Sequence, residues 1–200
     1  TTPETPVTHP FERGVFVHGD CVTSPPAGKA IRFRDRPTDP ERDPLTFDMW
    51  LAAAGSHGPM RHVHPEQAER LTVRSGRLGL WHDGERSELE MGETAVIPAG
   101  DPHRFWNAGE GVLHVRGSVT PGLRTEAFMR ITYGLAREGA AVTPSGMPLN
   151  ALRLAVLLSE YDDMLWLAVL PLWVQQLGVD LLAPVGLALG YDDSYPELVP

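Results

Sequence analysis

The sequence predicts a mainly β domain, a sandwich or barrel of short strands, followed by a helical segment. Three observations carry that expectation. Short strand-like runs recur at near-even spacing between residues 30 and 118, turn residues separate them, and the pattern changes to helical spacing after Pro121-Gly122. The expected organisation is an N-terminal arm over 1–29, a β domain over 30–122 and a helical extension over 123–200.

Taken in order, residues 1–28 are rich in Pro, Thr and Gly, with one β-like run at Val15-Phe16-Val17, and read as an arm laid across a sheet or without fixed structure. Strands are expected over 31–34, 45–53, 60–64, 68–74, 78–82, 87–90, 94–97, 103–106 and 112–118. The separators are Ser75-Gly76, His82-Asp83-Gly84, Met91-Gly92, Ala99-Gly100 and Gly109-Glu110-Gly111. Asp83-Gly84 between two alternating runs is the strongest hairpin signal, because such pairs accept the positive φ of a two-residue turn. Over 123–138, Ala127, Phe128, Ile131 and Leu135 fall on one helical face. Asn150 can cap a further helix running through Leu152, Ala155, Leu158 and Leu165, and an apolar helix is expected over 171–189, with Pro171 in its first turn and Gly190 as a stop. Pro171, Gln175, Gln176, Asp180 and Pro184 interrupt that apolar stretch too often for a membrane span.

Composition excludes several functions. A net charge of −9 over 200 residues disfavours a nucleic-acid partner held by phosphate neutralisation, and disfavours adhesion to anionic lipid. One cysteine, Cys21, allows no intrachain disulfide and no thiolate-rich zinc site. No secretory signal is visible, so a cytoplasmic location is the default expectation. Lys29 is the only lysine beside sixteen arginines. It sits in a Pro/Gly-rich stretch read as loop, so lysine-based Schiff-base chemistry is set aside.

The residues that carry chemistry lie in two segments. In the first, His62 and His64 are two apart, so on a strand they share one face. Pro65 ends that strand, and Glu69, Leu71 and Val73 share a face of the next. In the second, Pro98 and Gly100 shape the turn that delivers His103, which shares a face with Phe105, and Asn107 closes the strand by local hydrogen bonding. Three imidazoles and a carboxylate from neighbouring strands suit one divalent transition metal ion: Fe, Mn, Ni, Co, Cu or Zn. Four protein ligands leave two adjacent positions of an octahedron open to substrate or O2.

These segments, His62-x-His64-x4-Glu69-x6-Gly76 and Gly92-x5-Pro98-x-Gly100-x2-His103-x3-Asn107, resemble the two cupin motifs, separated by fifteen residues. The glycine usual six residues before the first histidine is Ser56 here, flanked by Gly55 and Gly58. The resemblance covers about residues 30–120 and implies a cupin-type antiparallel β-barrel (a double-stranded β-helix or jelly roll) with the metal inside. It also implies His62, His64, Glu69 and His103 as metal ligands.

Cupins span many activities, so the fold does not select one. The full ligand set argues against the metal-free sugar-epimerase type. The expected pocket lining (Met60, Leu71, Val73 and Phe105) is apolar and suits an aromatic or polyketide-like small molecule. The first expectation is therefore a metal-dependent dioxygenase, with Glu69 leaving the metal to take a proton. The alternatives are a cyclase or isomerase using the metal as Lewis acid, and a non-catalytic ligand-binding cupin. His114 and Arg116 share a face of the last strand: facing the cavity they would hold a substrate carboxylate or enolate, otherwise they are solvent face. His57 and His82 are expected in solvent, and His9 and His18 carry no signal. The apolar helical tail points to a homodimer.

Overall fold

The computed structural model describes residues 20–52 and 56–191. The expected run at Val15–Val17, along with His9, His18 and Gly55, lies outside them. Eleven strands among the described residues form two antiparallel sheets. The first contains β1 (Cys21–Ser24), β2 (Lys29–Phe33), β3 (Leu45–Leu51), β10 (Leu113–Thr120), β5 (Ala68–Ser75) and β8 (Thr94–Ile97), in that spatial order. The second contains β11 (Trp166–Leu167), β4 (His62–Val63), β9 (His103–Asn107), β6 (Leu78–His82) and β7 (Glu85–Leu89). Both sheets contribute to one core, which includes Phe33, Phe47, Leu71, Leu80, Phe105 and Val115. The fold is the expected double-sheet jelly roll.

Period-two alternation builds these strands. On β5, Glu69, Leu71 and Val73 are buried while Arg70 and Arg74 are exposed; on β9, His103, Phe105 and Asn107 point inward. The β6–β7 hairpin turns through Asp83 and Gly84 with φ of 44° and 92°, in the manner its sequence predicts. Gly117 lies opposite Phe47 in the β10–β3 register, and a Cβ there would meet the Phe47 ring at 2.4 Å, so the glycine makes room for a core aromatic.

The outer face of the first sheet carries a buried charge. Asp48, fully buried on β3, accepts from Arg116 Nε at 2.7 Å, His114 Nε2 at 3.1 Å and the Arg34 guanidinium. Burial alone would raise its carboxyl, but these hydrogen bonds outweigh it and hold the group well below the usual carboxylate range. His114 also stacks on Trp50 at 4.7 Å. Asp48→Asn is expected to lower unfolding free energy by about 2–3 kcal/mol in denaturant melts. It strips a buried anion from two arginines and an imidazole that are themselves partly exposed, which tempers the loss.

Helix α1 (Thr125–Arg137) matches its predicted face, with Phe128, Ile131 and Leu135 buried. Helix α2 (Ala151–Glu160) is capped as expected, the Asn150 side chain accepting from Arg153 N. Helix α3 (Leu172–Ala188) packs on α2 through Val179, Ala183 and Gly186. It leaves Trp173, Leu177 and Leu181 exposed. No helix among the described residues is long and apolar enough to cross a membrane.

Three expectations are corrected. Residues 21–24 are not part of an arm but form β1, paired with β2, and Lys29 opens β2 instead of lying in a loop. The expected strand over 60–64 is ordered as a ladder only at 62–63, since Pro59 and Pro65 bracket it without N–H donors. Leu165 is not on α2: the helix stops at Glu160, and Trp166-Leu167 pair with Val63 and His62 as an edge strand. The seven-residue spacing from Leu158 to Leu165 mimics a helix, but sheet pairing at the edge of β4 overrides it.

Candidate metal centre

Each predicted ligand is placed by a different piece of backbone. His62 lies on β4 opposite His103 on β9, so the ladder itself brings two imidazoles together. His64 follows β4, and Glu69 comes from β5 in the other sheet. All four are buried, and one ligand atom from each lies within 4.8 Å of the others. Among the described residues this is where metal-binding side chains converge.

The hydrogen bonds around the cluster orient it. His62 Nδ1 donates to the Met60 carbonyl at 2.8 Å, His64 Nδ1 to Met164 O at 2.6 Å, and His103 Nδ1 to Asp101 O at 2.9 Å. A carbonyl only accepts, so each Nδ1 carries a proton and each ring presents its Nε2 inward. His62 Nε2 and His64 Nε2 then face each other at 3.0 Å, lone pair to lone pair. Glu69 Oε2 lies 2.9 Å from His103 Nε2, yet neither atom makes a well-aligned hydrogen bond. These separations are those of ligands at right angles on one ion: two donors each about 2.1 Å from a metal sit about 3.0 Å apart. The residues present fit a divalent metal.

The electrostatics agree. Burial pushes His62 and His64 below the ordinary imidazole range, so both stay unprotonated. Burial would also lower His103, but the Glu69 carboxylate outweighs it and raises it; burial would raise Glu69, but His103 outweighs it and lowers it. The cluster holds a carboxylate and draws positive charge to its centre.

His62, His64 and Glu69 form part of the wall of a cavity of about 70 Å3. Its remaining walls are mostly apolar: Ile31, Met49 and Phe105 from the sheets, and Phe128, Met129 and Tyr133 from α1. The 145–147 segment, Met164 and Leu165 complete it. The region after the barrel therefore covers its mouth. Gln67, in the turn between His64 and Glu69, fastens this cover by donating to Pro121 O and Thr125 Oγ1 at 2.8 Å each.

Of the predicted pocket-lining residues, Phe105 lines the cavity. Leu71 and Val73 are buried in the core away from it, and the Met60 side chain lines outer grooves while its carbonyl orients His62. His114 and Arg116 are on the opposite face of β10, spent on Asp48, so they do not reach a ligand in the cavity. His57 is exposed, and His82 pairs with Asp101 at 2.9 Å.

Sequence reasoning missed two participants. Met164 supplies the carbonyl that orients His64, a long-range contact without a local signal. Lys29 lines the cavity, 2% exposed. Its signal was present: Lys29, Ile31 and Phe33 alternate as one inward face.

The chain is 33% identical over 58 residues to a probable oxidoreductase, virH, of Hypocrea virens, covering 28% of this chain and 26% of that protein. It is 48% identical over 44 residues to quercetin 2,3-dioxygenase of Bacillus subtilis, covering 22% of this chain and 13% of that one. The chain thus spans about a quarter or less of the length of these curated relatives. Among solved structures, KdgF from Halomonas sp. aligns at 17% identity and a TM-score of 0.42, covering 47% of this chain and 81% of that one. An RmlC-like cupin from Shewanella frigidimarina aligns at 16% identity and a TM-score of 0.42, covering 50% and 82%. The cupin domain model matches residues 49–117. That match begins on β3 and ends on β10, so it takes in all four clustered side chains, and residues 49–117 are a cupin domain.

Proposed function

We propose that this chain is a mononuclear metal-dependent enzyme acting on a small, largely apolar molecule, in the first instance as a dioxygenase. One observation carries the reading: three inward Nε2 atoms and a buried carboxylate converge, and His62, His64 and Glu69 of that cluster line an apolar cavity. The two curated relatives, by their names an oxidoreductase and a dioxygenase, support the redox class over the cyclase or isomerase class. His62, His64, Glu69 and His103 would hold the ion, which supplies Lewis acidity and, if redox-active, a path for electrons to O2.

The chain's own residues do the rest. Glu69 is the cluster's one carboxylate and can take a proton at Oε2, which no aligned hydrogen bond occupies. Phe105, Phe128 and Met164 keep water from the reacting face. About 70 Å3 is small beside the roughly 300–1,000 Å3 usual for ligand pockets, so a single-ring substrate suits it better than a flavonol. Met49, Met129, Met147 and Met164 in its walls can re-pack around a modest body.

The test is metal content by elemental mass spectrometry, on protein purified without a histidine tag, before and after anaerobic Fe(II) loading. Oxygen uptake is then measured with catechols first and flavonols and polyketide-like aromatics after. The expected result is about one equivalent of metal per chain, as a four-ligand site requires, and substrate-dependent oxygen consumption. One equivalent of zinc with turnover but no oxygen uptake would shift the assignment to a cyclase or isomerase. No metal under either condition overturns both and leaves a ligand-binding protein.

A further inference from the structure

Lys29 is a buried cation without an anion. Its Nζ donates to Gly58 O at 3.2 Å and to Ser145 O at 2.5 Å, and it has no carboxylate partner among the described residues. An ammonium has three N–H donors, so one is left over. Lysine is seldom this buried without a counter-charge, because desolvating the ammonium is costly. Here burial alone lowers its pKa to about 7. Yet nothing in the local packing forces a lysine into this position, since its neighbours on the same face, Ile31 and Phe33, are apolar.

The cavity explains what the strand does not. Lys29 lines the same chamber as His62, His64 and Glu69, and that chamber contains no arginine and no carboxylate besides Glu69. We propose that Lys29 is the counter-charge for an acidic oxygen of the ligand, so that the cavity takes small, largely apolar organic anions, carboxylates or the conjugate bases of acidic phenols and enols. This deepens the metal-enzyme reading and in part rests on it. With a divalent ion bound, Lys29 and Glu69 leave the chamber two positive charges in excess, which a ligand oxyanion reduces. The apolar walls seat the body, and the remaining Lys29 N–H meets the charged end. An acid that arrives protonated gives its proton to the neutral amine, forming the same ammonium–oxyanion pair. Both Lys29 and its anchor Ser145 lie outside the matched domain at 49–117, so this preference belongs to the added parts of the chain.

The experiment is calorimetric titration at about pH 6 with carboxylates from propionate to benzoate and with their matched amides. It uses zinc-loaded and metal-stripped wild type, Lys29→Met and Lys29→Arg, with thermal melts to verify folding. Wild type is expected to prefer acid over amide by about tenfold or more, as a charge-assisted hydrogen bond away from water implies. Lys29→Met should bring the ratio close to one, and Lys29→Arg should restore it in part. A purely structural strap between β2 and the 145 segment would change melting temperature without changing the ratio. An unchanged ratio in Lys29→Met, or no carboxylate binding by wild type, overturns the proposal. A preference that vanishes on metal removal but not on loss of Lys29 also overturns it, while leaving the metal reading intact. A Lys29-dependent preference in a chain that holds no metal sinks the metal reading alone.

Discussion

His103→Ala is expected to reduce metal retention by more than a hundredfold in affinity while leaving a folded protein. The magnitude follows from position. Changes in groups that merely orient ligands already cost 10- to 100-fold in comparable sites, and His103 is itself placed as a ligand. Its Nε2 lies 2.9 Å from Glu69 Oε2, and its ring lies 4.2 Å from that of His62. Removing it opens the cluster on the side where β4 and β9 meet and leaves Glu69 without the partner that lowers its carboxyl. The metal-free variant should then lose about 3–5 kcal/mol of stability, the range for a buried charge deprived of its partner, and Glu69 should take a proton more readily. The fold survives because its core, from Val22 to Val119, does not include the imidazole. Elemental analysis after dialysis, beside a denaturant melt, checks both halves. Full metal occupancy in a folded His103→Ala protein would show that these residues are not the ligands.

The site was legible in sequence because its geometry is local. His62 and His64 share a face by strand periodicity, and Pro98 with Gly100, the latter at φ 87°, announces the turn before His103. The chamber around them was not legible, because it is assembled over long sequence distances. Met164 is one hundred residues from His64, and Ser145 is 116 from Lys29. Alternation told that His114 and Arg116 share a face but could not say which. The deciding fact was Asp48, on the neighbouring strand directly opposite Arg116, where register brings the carboxylate to both side chains. The Pro-rich composition before Lys29 suggested a loop, but a single turn at Pro25–Ala27 closed by Gly28 at φ 59° is enough to fold β1 back onto β2. Where local signals and packing disagreed, at β1 and β11, a free sheet edge decided the outcome.

Lys29 makes the metal-free protein more stable in mild alkali, and Lys29→Met should remove that dependence. The folded pKa of about 7 lies below the unfolded 10.5, so between these values the unfolded chain binds a proton that the folded chain does not. Stability therefore rises with pH across that window, and below it the full penalty of the buried ammonium is present. At about 1.36 kcal/mol per pH unit, the rise from pH 7 to pH 9 is about 2–3 kcal/mol. The window is best read below pH 9, since burial also raises the Cys21 thiol and the Tyr133 hydroxyl, and their ionisation on unfolding would reverse the trend above it. Lys29→Met gives up two hydrogen bonds, to Gly58 and Ser145, but no longer buries a charge. Its denaturant midpoint should show no such rise from pH 7 to 9, where the raised His103 acts in the opposite direction, and at pH 6 it should equal or exceed that of wild type. A steep pH dependence in the methionine variant would place the titrating group elsewhere. Loss of the rise, together with a lost preference for acids, would show a chain that sacrifices stability at this position to hold its ligand's charge.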